Sequence, residues 1–148
     1  MMAKFASHWQ GKVVGDVEQL DASQFWSEVE TLSSHLQAMQ VRCVALELDN
    51  SIAWLVVDFA LMQAGIVALP LPSFFSAAQR EHALQKAQPD LLISASNNSG
   101  TRAESWQIGA QTLVLKVLDV SADELPRFPE QTQKITFTSG STGQPKGV

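Results

Sequence analysis

Residues 41–72 read VRCVALELDNSIAWLVVDFALMQAGIVALPLP, and this stretch decides the fold. Val41 to Leu48 is a short apolar run rich in β-branched residues, which predicts a strand. Asp49-Asn50-Ser51 follows with turn and helix N-cap chemistry. Residues 52–64 are apolar nearly all round and end at Gly65, as a buried helix does. Ile66 to Leu71 is a second apolar run, closed by Pro70 and Pro72. A strand, a buried helix and a second strand make a β-α-β unit with parallel strands and a right-handed crossover. The span from Ile52 to Pro72 is also about the ~20 residues a transmembrane helix needs. Asp58, Gln63, Gly65, Pro70 and Pro72 would charge or break such a helix, whereas a helix followed by a buried strand uses all of them.

The pattern extends in both directions. Phe25, Val29, Leu32, Leu36 and Met39 recur at spacings of three and four and predict a core-facing helix over 22–39, begun by an Asp21/Gln24 capping box. His35 falls beside that stripe. A second capping box, Ser76/Gln79, opens a helix running to Gln88 before Pro89, and Asp90 to Ala95 reads as a third strand. Residues 96–111 read as a polar loop with Gly100 and Gly109, 112–118 as a fourth strand and 134–138 as a fifth. The expected fold class is α/β, with a mostly parallel sheet flanked by helices. An unpaired edge of such a sheet would favour self-association. Phe74 and Phe75, adjacent in a loop, read as packing on their own domain, with a partner surface as the alternative.

Composition narrows the function. The 148 residues are 45% hydrophobic and 17% charged, with a formal net charge of −5. That excludes a disordered chain and argues against a nucleic-acid partner. Lys4, Lys12 and Arg42 face eight carboxylates up to residue 60, whereas from Leu125 onward Arg127, Lys134 and Lys146 face only Glu130. An anion is therefore better received near the C-terminal end. Cys43, alone in the chain, lies in a predicted buried strand and reads as a small hydrophobe. The N-terminal residues lack the apolar core of a secretory signal, so a cytoplasmic location and a plain polar turn at the Asn97-Asn98-Ser99 sequon are expected. His8, His35 and His82 show no metal-ligand spacing, and no catalytic constellation emerges.

The final segment, residues 135–148, reads ITFTSGSTGQPKGV. It places Thr138, Ser139, Ser141 and Thr142, with Gly140, Gly143 and Gly147 and with Lys146, in one loop after a predicted strand. Ligands of open parallel sheets bind outside the carboxyl ends of the strands. Glycines let backbone N–H groups turn inward as an anion nest, hydroxyls add donors, and Lys146 adds a charge-assisted contact of about 1.5–3 kcal/mol. That chemistry suits a polyphosphate; the same composition also suits a flexible linker. The familiar P-loop is excluded, because Gln144 and Pro145 separate Gly143 from Lys146.

The run from Phe137 to Val148 resembles the signature loop of the adenylate-forming superfamily, which includes acyl-CoA synthetases, nonribosomal-peptide adenylation domains and beetle luciferases. Phe137 stands where that family often has Tyr, and Ser141 where Thr is commoner. Asn50 to Trp54, Ala64-Gly65 and Ser76 to Leu84 also follow the order of elements at the start of that fold, so the resemblance runs from about residue 20 to the end. It implies ATP-dependent activation of a carboxylic acid: the carboxylate attacks the α-phosphorus, pyrophosphate leaves, and a thiol of CoA or phosphopantetheine then takes the acyl group. It implies ATP with Mg as cofactor and a place such as fatty acid metabolism. By the family pattern Thr138, Ser139, Ser141, Thr142 and Lys146 hold the β- and γ-phosphates, with Gly140 and Gly143 providing the turn.

In that family the acyl pocket, the adenine and ribose contacts, the magnesium-binding glutamate and a catalytic lysine all lie beyond the signature loop. The resemblance therefore implies a lead-in over residues 1–20 and a partial N-terminal α/β subdomain over 21–148, inactive alone. Two other readings stay open at this point: a stand-alone nucleotide- or pyrophosphate-binding module, and an interaction protein with a terminal linker.

Overall fold

The computed structural model describes residues 8–95, 102–120, 125–138 and 146–148. A small antiparallel hairpin, β1 (Lys12–Val14) and β2 (Gln19–Asp21), leads into helix α1 (Ala22–Ala38). Asp21 is the N-cap: its carboxylate accepts from Gln24 N at 2.8 Å while Gln24 Oε1 accepts from Asp21 N at 3.0 Å. This reciprocal box satisfies two donors that the first turn cannot pair internally. Phe25, Val29, Leu32 and Leu36 form the buried stripe.

The decisive stretch folds as its sequence dictates. β3 (Cys43–Glu47), α2 (Ile52–Ala64) and β4 (Val67–Pro70) form a parallel unit, with Val44 opposite Ala68 and Leu46 opposite Pro70. Ser51 caps α2 by accepting from Trp54 N at 3.0 Å, and Gly65 ends it in the left-handed region at φ 70°. Such a φ is open to glycine without the clash that a Cβ brings. A second Ser/Gln capping box starts α3 (Ala77–Ala87), which returns the chain to β5 (Leu91–Ser94) on the other side of β3, again parallel.

Beyond β5 the structure departs from the sequence-based expectation. Within the segment read as a loop, Ala103–Ile108 is a strand, β6, paired antiparallel with β7 (Gln111–Val117), which itself runs antiparallel to β5. The sheet order is β4-β3-β5-β7-β6, so the α/β sheet is mixed, with two parallel and two antiparallel pairings. β6 carries little alternation in its sequence because it is an edge strand with only Ile108 fully buried. Its identity comes from pairing with β7, while its own residues, among them Glu104 and Gln107, are poor local strand formers. Residues 134–138 are likewise no single strand. Lys134 makes an isolated parallel bridge to Ala68, and Phe137–Thr138 forms β8, which pairs with β9 (Lys146–Gly147) instead of the main sheet.

Alternation sorts the strands between two cores. Val44, Leu46, Ala68, Leu91 and Ile93 face α1 and α2, whereas Cys43, Ala45, Val67 and Leu69 face Ala83 and Ala87 of α3. Trp9, Phe25, Trp26 and Phe59 extend the first core through edge-on ring contacts. Asp90 ties the start of β5 to that of β3 by accepting from Arg42 N at 2.5 Å and Cys43 N at 2.9 Å. The Arg42 guanidinium donates to the carbonyls of Gln88 at 2.6 Å and Pro126 at 3.3 Å and lies 5.0 Å from the Phe128 ring centroid. It so anchors the segment that runs from beyond β7 back toward β4.

Two predictions follow from this packing. Gly109, at φ 53° in the two-residue β6–β7 turn, leaves no room for a Cβ, because the Glu18 carboxylate occupies that place and accepts from Ala110 N at 2.7 Å. Gly109→Ala is expected to lower stability by about 1–2 kcal/mol from the left-handed backbone alone, read by urea unfolding; an unchanged midpoint would refute this. Burial pushes the Cys43 thiol up to about 12, with Arg42 pulling down and Asp90 pushing up more weakly. The folded thiol thus keeps its proton where the unfolded one, at its ordinary value near 9, has lost it. Stability from this group is intact below the ordinary value and declines as pH rises toward 12, and Cys43→Ala is expected to flatten that decline.

Candidate functional site: a hairpin at the sheet edge

The site begins at the free edge of β4. Ala68 N donates to Gln133 O at 2.9 Å, and Ile135 N donates to Ala68 O at 2.8 Å, so residues 133–135 add alongside β4 in the same direction. The chain is thereby delivered toward the carboxyl end of the parallel strands, where open α/β sheets bind ligands.

There β8 and β9 close on each other, with Phe137 opposite Gly147 and Thr138 opposite Lys146. Thr136 and Val148 exchange backbone hydrogen bonds of 3.0 and 2.8 Å just outside them. Directly opposed residues of an antiparallel pair share a face. The Thr138 hydroxyl and the Lys146 ammonium therefore stand together, exposed, at the two ends of the intervening loop. On the other face Gly147 has a specific reason to be glycine: a Cβ there would lie 3.3 Å from both Ile135 Cγ2 and Phe137 Cζ. The Phe137 ring in turn meets His82 of α3 edge-on at 6.0 Å.

Of the residues expected to form the site, Thr138 and Lys146 are brought together. Ser139, Gly140, Ser141, Thr142 and Gly143 lie outside the described residues. A groove of about 740 Å³ adjoins the hairpin between α3 and the 128–137 segment, and His82, Lys86, Lys134 and Lys146 lie among its lining residues beside Ile135 and Phe137. No Asp or Glu is among those described lining residues, so with Lys134 paired to Asp58 the lysines Lys86 and Lys146 carry the positive charge at the groove. Hydroxyl and ammonium donors fit phosphate oxygens. Among the described residues no group of three or more His, Cys, Asp or Glu could hold a metal. No helix among them is long and apolar enough to cross a membrane.

One part of the site was not legible in the sequence. Lys134 Nζ lies 2.7 Å from Asp58 Oδ1, an ion pair without hydrogen-bond alignment, and 5.2 Å from the centroid of Trp54. Asp58 and Trp54 belong to α2, and Asp58 is only 8% exposed. The available signal was a carboxylate within an otherwise apolar helix, since buried charges are paired.

Comparison with known proteins places this geometry. The sequence matches the AMP-binding enzyme family over residues 3–148. It is 34% identical over 128 residues to the nonribosomal peptide synthetase pboA of Aspergillus ustus, covering 82% of this chain and 6% of that protein. It is 32% identical over 139 residues to the phosphinothricin tripeptide synthetase PhsC of Streptomyces viridochromogenes, covering 88% of this chain and 13% of that protein. The fold matches O-succinylbenzoate coenzyme A synthetase (MenE) from Bacillus subtilis, a structure in complex with AMP, with a TM-score of 0.71 at 19% identity over 99% of this chain and 40% of that one. The chain thus spans a minor part of each of these three proteins. With an α/β sheet of the same fold, and the family matched over nearly its whole length, the chain belongs to the AMP-binding, adenylate-forming enzymes.

Proposed function

We propose that this chain is the N-terminal part of an adenylation enzyme that activates a carboxylic acid with ATP and passes the acyl group to a thiol. The observation that supports the reading is the Thr138–Lys146 cross-strand pair at the base of a hydroxyl- and glycine-rich loop. A carboxylate is already ionised near neutral pH, so the first step needs little acid–base chemistry. One carboxylate oxygen bonds to the α-phosphorus, the bond to the bridging oxygen breaks, and pyrophosphate leaves with its electron pair. The work left to the protein is positioning and charge stabilisation.

In this reading Thr138, Ser139, Ser141, Thr142 and Lys146 hold the β- and γ-phosphates of MgATP, and Gly140 and Gly143 shape the turn. Residues 21–148 form part of the large N-terminal domain, and the rest of the active site belongs to the remainder of the enzyme, so this portion alone is inactive. The peptide synthetases among the relatives favour the phosphopantetheine thiol of a carrier protein over CoA as acceptor, and a peptide-building acid over fatty acid metabolism.

The test is ATP–pyrophosphate exchange by the whole enzyme against panels of amino, aryl and fatty acids. Lys146→Ala is expected to raise the KM for ATP about ten- to a hundredfold, the equivalent of the about 1.5–3 kcal/mol of a charge-assisted contact. The KM for the acid is expected to stay near wild type. An unchanged KM for ATP would remove Lys146 from the phosphate site, and absence of exchange with every acid would favour a nucleotide-binding module without catalysis.

A further inference from the structure

We propose that Lys134, held by Asp58 and Trp54, is a positioning residue that fixes the β8–β9 hairpin and with it the phosphate-binding groups. The inference rests on the proposed function for what the hairpin holds, but not for the mechanical role itself.

Three observations carry it. Residues 133–135 are joined to the main sheet by only two backbone hydrogen bonds, both to Ala68, and no continuous ladder links β8 or β9 to β4. So short a pairing is easily opened on its own. The side chain of Lys134 supplies the missing restraint. Its ammonium reaches back 2.7 Å from the Asp58 carboxylate on α2 and packs 5.2 Å from the Trp54 ring centroid. Asp58 is 8% exposed, and burying a carboxylate is costly unless a cation is placed beside it. Lys134 lies four residues before Thr138, and Thr138 is the register partner of Lys146. The staple therefore links α2, the apolar helix that connects β3 to β4 and packs on the sheet, to Thr138 and Lys146, the two described residues of the proposed phosphate site. The sequence signals only that Asp58, a carboxylate in an otherwise apolar helix, needs a cation; that Lys134 supplies it is decided by the fold.

A purely stabilising pair and a positioning pair give different results when both charges are removed together. Asp58→Asn combined with Lys134→Met leaves no unpaired buried charge, and such isosteric neutral replacements are often tolerated. The experiment is amide hydrogen exchange on the whole enzyme without nucleotide, comparing Thr136 and Val148 with the amides of β3 and β5. In the doubly neutral variant the hairpin amides are expected to exchange about tenfold faster relative to those of β3 and β5. A general loss of stability speeds the amides of β3 and β5 at least as much, so it does not by itself raise that ratio. Lys134→Arg keeps the charge and is expected to leave the ratio near wild type.

An unchanged ratio in the doubly neutral variant would overturn the proposal. ATP–pyrophosphate exchange supplies the functional arm. The same variant is expected to show a raised KM for ATP with an unchanged KM for the acid, and equal KM values for ATP in variant and wild type would overturn the link to the phosphate site. A wild-type enzyme inactive toward every acid would refute the proposed function, while the hydrogen-exchange result would still decide the staple.

Discussion

Two β-strands that run in the same direction cannot be joined by a tight turn, and the rest of this structure depends on that constraint. Each return from β3 to β4 and from β4 to β5 needs a helix, and the two helices lie on opposite faces of the sheet. The central strands are therefore buried on both sides, which is why Cys43 to Leu46 are all shielded from water. A sheet covered on its faces still has open edges. On one side β7 and β6 extend it, and on the other β4 is left to receive residues 133–135.

The location of the candidate site follows from that edge. Because the added segment runs parallel to β4, it emerges at the carboxyl ends of the strands, and the hairpin that follows sets Thr138 beside Lys146. Electrostatics work in the same sense. Of the carboxylates in the first sixty residues, Glu47 pairs with Arg80 of α3 and Asp58 pairs with Lys134. The groove beside the hairpin is left to His82, Lys86, Lys134 and Lys146. Lys86 and Lys146 thus concentrate positive charge locally on a chain whose net charge is negative.

Particular residues show where sequence reading succeeds. Asp21/Gln24 and Ser76/Gln79 capping boxes, Ser51 before α2 and Gly65 after it are short-range devices whose chemistry is complete within four residues, and all form as the sequence indicates. β6 shows where it fails. Glu104 and Gln107 have no strand preference of their own, and their backbone becomes extended only because β7 offers a partner and the Gly109 turn, braced by Glu18 from the N-terminal hairpin, aligns them. Glu104 then meets His35, at 2.5 Å, and that ring lies against Trp106. None of these three residues predicts the others from spacing.

The sequence by itself determined the alternation of strands and helices, the ends of the helices and the identity of the signature loop, because each depends on residues close together in the chain. Tertiary structure decided the mixed direction of the sheet, the division of residues 134–138 between a bridge to β4 and a separate hairpin, and the partnership of Asp58 with Lys134. Those depend on pairings between residues far apart in sequence, where a backbone edge or a buried charge accepts whatever partner the fold brings to it.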